Sequence, residues 1–137
     1  MNERKVTHAV SCSNLDFDFF YEGLERQELL IQRCDQCNKL RSPPAPMCAE
    51  CNSFSWTAVP MSGRGTIYSY LIHYHPPLPG FDVPHPVGLI DLEEGIRFMA
   101  GLDGIPLAEI EIGLPVEAEF MRRGVIATVC FRKATQA

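Results

Sequence analysis

Four of the six cysteines stand in two identical pairs whose spacing suits a metal ion. Cys34 and Cys37 form one C-x2-C pair, Cys48 and Cys51 form the other, and ten residues separate the pairs. Each pair places two thiolates on one tight turn, and four thiolates make up the tetrahedral ligand set that Zn²⁺ takes in structural sites. The spacing therefore predicts a zinc ribbon with these four cysteines as the ligands.

Other roles for the same cysteines are less well supported by the sequence. A four-sulfur set also accepts iron, as in a rubredoxin-like site, so iron stays open as the alternative metal. Disulfides rarely persist in the cytosol, and a redox C-x2-C normally opens a helix in a βαβ unit, which this sequence does not show. Four thiolates leave no position for water, so the metal is expected to be structural. Cys12 and Cys130 stand outside the pairs and are interpreted as free thiols.

A short aromatic helix is expected ahead of the ribbon. Residues 1–14 are interpreted as a tail, and the helix is predicted over 15–26 with Asn14 or Asp16 as its cap. Phe19 lies off the apolar stripe of that helix, which indicates either a contact with a partner protein or packing on a neighbouring loop. The stripe has helical spacing and consists of Phe17, Phe20, Tyr21 and Leu24.

The first domain is predicted to be this helix together with the ribbon, over residues 15–60. A short strand at 28–33 leads into the first cysteine pair, and the proline-rich residues 41–46 form an extended connector. Phe54 and Trp56 follow the second pair and are expected to pack against the ribbon. So small a unit buries little apolar surface, and its metal is expected to supply the missing stability.

The second domain, residues 61–137, is predicted to be a small β-barrel. Alternating apolar and polar residues separated by glycine turns indicate five strands, with long connections after the first and the third. This pattern is typical of an OB-like, partly open Greek-key barrel, so the whole chain is expected to be mainly β. The predicted strands are 66–75, 86–92, 96–102, 116–121 and 125–132.

The connection between the first two barrel strands is stiff, because five of the eleven residues at 76–86 are proline. His73, His75 and Phe81 lie in or beside it and are predicted to contact a partner or a ligand. The sequence shows no phosphate-binding glycine loop, no nucleophile elbow and no paired carboxylates. We therefore predict no catalytic residue in this chain.

Composition and charge limit the classes of function that the chain can have. The chain has 137 residues, with 12 Lys and Arg against 17 Asp and Glu, and a net charge of −5. A protein that neutralises nucleic-acid phosphates normally has the opposite balance, so polynucleotide binding is an alternative and not the first choice. There is no signal-peptide pattern and no apolar run near the roughly 20 residues that span a bilayer, so a cytoplasmic protein without membrane attachment is expected.

Taken in order, these features resemble a known family. The aromatic helix, the two C-x2-C pairs with a proline-rich connector, the stretch SGRGTIYSY at 62–70 and GLPV at 113–116 are similar to acyl-CoA-associated proteins with a rubredoxin-like zinc ribbon and a C-terminal OB-fold. The resemblance covers roughly residues 15 to 133. Asn38 stands where glycine is usual after the first knuckle.

The resemblance implies a helper subunit. Members of the family assemble with a thiolase-like enzyme, sometimes with a third enzyme subunit, in complexes that transfer acyl groups, form carbon–carbon bonds or perform retro-aldol cleavage. The nucleophile belongs to the partner, and the OB-fold helps to hold acyl-CoA or a related acyl substrate. A nucleic-acid-binding module remains the alternative. A standalone acyl-CoA carrier or hydrolase is a third reading, but it needs a base that the chain does not display.

Overall fold

The computed structural model of the chain describes residues 15–77 and 82–135. None of the described helices is long and apolar enough to cross a membrane. A helix, α1 (Asp18–Glu25), follows the 3-10 turn Leu15–Phe17, and a second 3-10 turn covers Leu107–Glu109. The strands are β1 (Leu30–Cys34), β2 (Leu40–Arg41), β3 (Trp56–Pro60), β4 (Arg64–His73), β5 (His85–Leu92), β6 (Arg97–Leu102), β7 (Pro115–Arg123) and β8 (Ile126–Lys133).

The predicted helix is present, but its start differs from the expectation. The N-cap of α1 is Phe17, without a side-chain hydrogen bond, because Asp16 lies inside the preceding 3-10 turn. Asn14, the other expected cap, lies outside the described residues. The apolar stripe faces the protein as predicted, and Leu24 is buried. At Gly23 a Cβ atom would come within 2.7 Å of the Leu30 side chain, so this glycine lets α1 lie close to β1.

The ribbon is built on a three-stranded antiparallel sheet with the order β2-β1-β3. The strand expected at 28–33 is β1, shifted towards the cysteine so that Cys34 is its last residue. The short strands β2 and β3 were not predicted. Cys34 pairs with Trp56 of β3, and this register places the first knuckle at the end of the sheet.

The five predicted barrel strands are all present, in the order β4-β5-β6-β8-β7. All neighbours are antiparallel except β6 and β8, which run parallel, and this is the strand arrangement of an OB-fold. The expected partly open barrel is closed, because the first residues of β4 pair on both edges. Gly65 pairs with Leu92 of β5 and with Val116 of β7.

A β-bulge interrupts the regular alternation predicted for the first barrel strand. The register of β4 against β5 shifts between Ile67 and Ser69 and leaves Tyr68 as the extra residue. Ile67 is buried, whereas Tyr68 is 45% exposed. A bulge bends a strand and increases its twist. The bend allows β4 to pair with both β5 and β7.

One hydrophobic core joins the two parts. Leu29, which directly precedes β1, and Ile31 of β1 belong to the same buried cluster as the barrel residues. From the helix, Phe20 packs on Phe98 with ring centroids 5.8 Å apart, and Phe98 packs on Phe131 at 6.2 Å. The ribbon and the helix are therefore fixed against the barrel. The barrel residues of the cluster are Ile67, Ile90, Leu92, Phe98, Leu102, Ile105, Ile110, Val116 and Phe131.

Candidate metal centre and the cavity beside it

The two cysteine pairs form knuckles of the same geometry. The backbone N–H of Asn38 donates to the carbonyl of Cys34 at 3.0 Å, and that of Asn52 donates to the carbonyl of Cys48 at 2.9 Å. Both asparagines have a left-handed backbone, with φ of 65° and 66°. Asparagine tolerates this conformation better than most residues, which explains how the turn forms without glycine.

The four sulfurs converge on one point. Cys34 Sγ lies 3.5 Å from Cys51 Sγ, and Cys37 Sγ lies 3.6 Å from Cys48 Sγ. All four sulfurs lie within 4.8 Å of one another. Tetrahedral coordination with bonds of about 2.3 Å requires sulfurs about 3.8 Å apart, so the cluster fits a four-thiolate Zn²⁺ site.

Burial and backbone donors differ within each knuckle. Cys34 and Cys48 are buried, whereas Cys37 and Cys51 are exposed. The backbone N–H of Cys37, aided by that of Gln36, lowers the pKa of Cys34 to about 6. At Cys51 the backbone N–H of Ser53 lowers the pKa, but the sulfur of Cys34, desolvation and the other two cysteine sulfurs together outweigh it and raise the pKa to about 12. Four ionised thiolates this close together repel one another, and a bound metal cation would offset this repulsion.

A carboxylate ties the first knuckle to the ribbon sheet. Asp35 accepts hydrogen bonds from the hydroxyls of Thr57 at 2.7 Å and Ser55 at 2.8 Å. These bonds favour the ionised form and lower the pKa of Asp35. The first knuckle is therefore held both by its own backbone and by β3.

Phe19 packs inside the molecule. Its ring lies against Trp56, with centroids 4.9 Å apart and planes at 54°. Of the two alternatives for Phe19, this is packing within the protein, although the neighbour is the strand β3 and not a loop. A contact of Phe19 with a partner protein stays a prediction. The expectation for Phe54 is wrong, because this side chain is 72% exposed and does not pack against the ribbon.

The histidines predicted as contact residues do not form a metal site. His73 Nε2 lies 2.6 Å from the carbonyl oxygen of Pro76, and His75 is exposed. In the described part of the chain, no group of three potential ligands close enough to share an ion includes a histidine. Phe81 lies outside the described residues. The roles of His73, His75 and Phe81 as contacts stay predictions.

An apolar cavity of about 360 Å³ lies between the helix, the ribbon and the barrel. Sequence reasoning missed it, because its walls come from segments far apart in the chain. The only local signal was the aromatic richness of the helix. The lining of the cavity includes Phe17, Phe19, Phe20, Arg41, Arg97, Phe98 and Met99.

The outer barrel face near this cavity is not arranged for nucleic acid. The Arg97 guanidinium lies 3.7 Å from the centroid of the Tyr68 ring and donates to Asp91 at 2.8 Å. These contacts cover the ring that a base would stack on and engage the cation that a phosphate would need. The nucleic-acid alternative is therefore not favoured.

Family models match both parts of the chain. A model described as "ChsH2, rubredoxin-like zinc ribbon domain" matches residues 22–57, and one described as "ChsH2, C-terminal OB-fold domain" matches residues 58–121. The first model names zinc, and no comparison supports iron.

Several curated proteins are similar to this chain. A probable enoyl-CoA hydratase alpha subunit of Thermomonospora curvata is 44% identical over 79% of this chain and 34% of its own length. A 3-oxo-4,17-pregnadiene-20-carboxyl-CoA hydratase alpha subunit of Mycobacterium tuberculosis is 39% identical over 80% of this chain and 35% of its own length. The chain thus spans about a third of these two relatives. Benzoylsuccinyl-CoA thiolase subunit BbsA of Thauera aromatica is 35% identical over 54% of this chain and 51% of its own.

A solved structure described as "Ltp2-ChsH2(DUF35) aldolase" contains a chain that superposes on this one with a TM-score of 0.86 and 39% identity. The match covers 92% of this chain and all of the other. Together with the two domain matches, it shows that this chain belongs to the ChsH2-type DUF35 family, whose members join a rubredoxin-like zinc ribbon to a C-terminal OB-fold.

Proposed function

We propose that this chain is a non-catalytic subunit that assembles with a thiolase-like enzyme. The observation that carries the proposal is the match to the ChsH2 chain of the aldolase structure, which extends over the whole of that chain. The similar BbsA protein is named as a subunit of a thiolase. In such a complex the partner supplies the nucleophile, and this chain helps to hold an acyl-CoA or a related acyl substrate.

The proposed metal is one structural Zn²⁺ bound by Cys34, Cys37, Cys48 and Cys51. The distances between their sulfurs support this assignment, and the four thiolates occupy every position of a tetrahedral site. The ion would stabilise the ribbon and leave no position for a substrate or a water nucleophile. Because the thiolates must stay reduced, we propose that the protein works in the cytoplasm.

The barrel offers a surface that suits a partner protein. Leu71 and Met99 are 56% and 65% exposed. Leu71 of β4 pairs with Val87 of β5, and Met99 of β6 pairs with Leu89 of β5, so these four side chains lie on one face of three neighbouring strands. Exposed apolar side chains that lie together on one face often mark a site of contact with another protein. We propose this apolar strip, defined by Leu71, Val87, Leu89 and Met99, as part of the contact with the thiolase-like enzyme.

Affinity capture of the tagged protein from its native extract, followed by mass spectrometry and absorbance at 260 nm, tests the assignment. A thiolase-like protein in fixed ratio is expected, without nucleic acid. The Leu71→Glu variant should lose this protein, whereas Val125→Glu, in the turn between β7 and β8 and 83% exposed, is the matched control and should retain it. Recovery of nucleic acid without a thiolase-like protein would contradict the proposal.

A further inference from the structure

We propose that the apolar cavity between the helix, the ribbon and the barrel is a socket for one uncharged apolar side chain, aromatic or branched aliphatic, of the thiolase-like partner. The inference rests on the proposed function and adds to it how the partner is held. One anchor side chain enters the cavity, and the apolar strip beside it is covered by the same protein surface.

The cavity opens into the apolar strip. Leu89 and Met99 belong to the strip and also line the cavity. Met99 is 65% exposed, so the cavity is open to solvent on this side. Leu71 and Val87 continue the same face of the barrel beyond the opening. The strip and the cavity therefore form one apolar surface with a hollow at one end.

The walls of the cavity are held in place by packing within the chain. The ring of Phe19 lies 4.9 Å from that of Trp56, and the ring of Phe20 lies 5.8 Å from that of Phe98, between centroids. Buried residues of β1 form a further wall. A preformed cavity with fixed walls lowers the entropy that an entering side chain must lose on binding.

The cavity presents no free charge, although two arginines line it. Arg41 Nε donates to Gln32 Oε1 at 3.0 Å, and the two terminal nitrogens of Arg41 have almost no accessible surface. Arg97 is paired with Asp91 at 2.8 Å. None of the described residues that line the cavity is Asp or Glu. A charged side chain would therefore lose its hydration without gaining a partner, whereas an uncharged apolar one would not.

Size and surroundings together favour a protein side chain over a free small molecule. A cavity of about 150 Å³ holds one benzene molecule. The volume of about 360 Å³ therefore accommodates an aromatic ring with the chain that carries it. A free ligand would fill the cavity and leave Leu71 of the strip 56% exposed, whereas a protein surface covers both. Interfaces commonly place an anchor side chain in such a pocket, with a rim of weaker contacts around it.

Toluene is the side chain of phenylalanine without its backbone, so it serves as the probe for the full-length, zinc-loaded chain. We expect toluene to shift the methyl NMR signal of Met99 saturably, at one molecule per chain. Leu89→Trp should abolish this shift, because the larger side chain fills the cavity. Val125→Trp is the control, since it adds the same side chain at an 83% exposed position in the turn between β7 and β8, and it should bind toluene normally.

Binding of the thiolase-like protein recovered from the native extract then identifies the occupant. With toluene at about ten times its own dissociation constant, the dissociation constant of the partner should rise about elevenfold, since both compete for one cavity. The rise must follow the occupied fraction that the Met99 signal reports. Leu89→Trp should weaken the partner by at least about tenfold, and Val125→Trp should leave its affinity unchanged.

The outcomes separate this inference from the proposed function. Failure of the unmodified chain to bind a thiolase-like protein would refute the proposed function, and the socket with it. A partner whose affinity is unchanged by toluene would overturn the socket alone, as would the absence of saturable toluene binding or a folded Leu89→Trp chain that binds the partner normally. The competition by toluene uses the unmodified chain, so it decides the matter even if Leu89→Trp does not fold.

Discussion

Asn38 and Asn52 hold nearly the same left-handed backbone conformation, with φ of 65° and 66°, one in each knuckle. Each donates its backbone N–H to the carbonyl of the first cysteine of its pair. The two halves of the metal centre are therefore two copies of one turn. The sequence shows this repeat as the C-x2-C-N pattern that occurs twice.

The knuckle conformation predicts a specific order of stabilities at Asn38. Asn38→Gly should keep or raise the melting temperature, because glycine adopts a positive φ freely. Asn38→Val should lower the free energy of unfolding by about 1–2 kcal/mol, since a branched side chain is strained there. Thermal unfolding of the zinc-loaded protein measures both. Lys39→Ala, at the exposed neighbouring residue, is the control, and an unchanged melting temperature for Asn38→Val would contradict the account.

Removal of one proposed ligand should lower both the zinc content and the stability of the ribbon. Cys48→Ser is expected to reduce zinc from one ion per chain to a small fraction and to lower the melting temperature, because structural zinc contributes folding energy directly. Mass spectrometry of the metal and thermal unfolding check this. Cys130→Ala removes a cysteine that is also buried but lies in the barrel, and it should leave the zinc content unchanged. Full zinc retention in Cys48→Ser would refute the assignment.

The helix should depend on its ring contact with the ribbon. Phe19→Ala removes the contact with Trp56, and we expect the free energy of unfolding to fall by about 1–3 kcal/mol. The emission of Trp56 should shift to longer wavelength as the indole becomes hydrated, while the zinc content stays at one ion per chain. Phe54→Ala is the matched control, since this ring is 72% exposed. Equal effects of the two substitutions would count against the contact.

The closure of the barrel predicts a severe effect at Gly65. A Cβ atom there would lie 2.3 Å from the carbonyl oxygen of Asp91, an atom of the backbone that cannot move aside easily. Gly65→Ala should therefore unfold the barrel or lower its melting temperature strongly. Gly101→Ala should be mild, because the nearest atom to its Cβ would be in the His85 ring, at 3.3 Å. Circular dichroism during thermal unfolding measures both, and similar melting temperatures would contradict the described register.

The elements that depend on local pattern could be predicted from sequence. The cysteine spacing predicted the cluster, and alternation with glycine turns predicted five barrel strands. The strand β3 was missed because Trp56–Pro60 is short and ends in proline, so it carries little alternation. The bulge at Tyr68 was missed because it depends on the pairing of β4 with both β5 and β7, which local alternation does not show.

The cavity could not be predicted for a different reason. Arg41 was interpreted only as part of an extended connector, and its hydrogen bonds to Gln32 and Ala45 form only because β1 and β2 bring it opposite Gln32. Likewise, the composition of the helix did not distinguish whether Phe19 faces a partner or the protein. Trp56 lies 37 residues later in the chain and decides this by tertiary packing.

The most direct test of the central claim is native mass spectrometry of the complex formed by this chain with the thiolase-like protein recovered from its own extract. The account predicts one discrete species with a fixed ratio of the two subunits and one zinc ion for each copy of this chain. A chain that stays alone at concentrations where both proteins are folded, or that carries only nucleic acid, would contradict it.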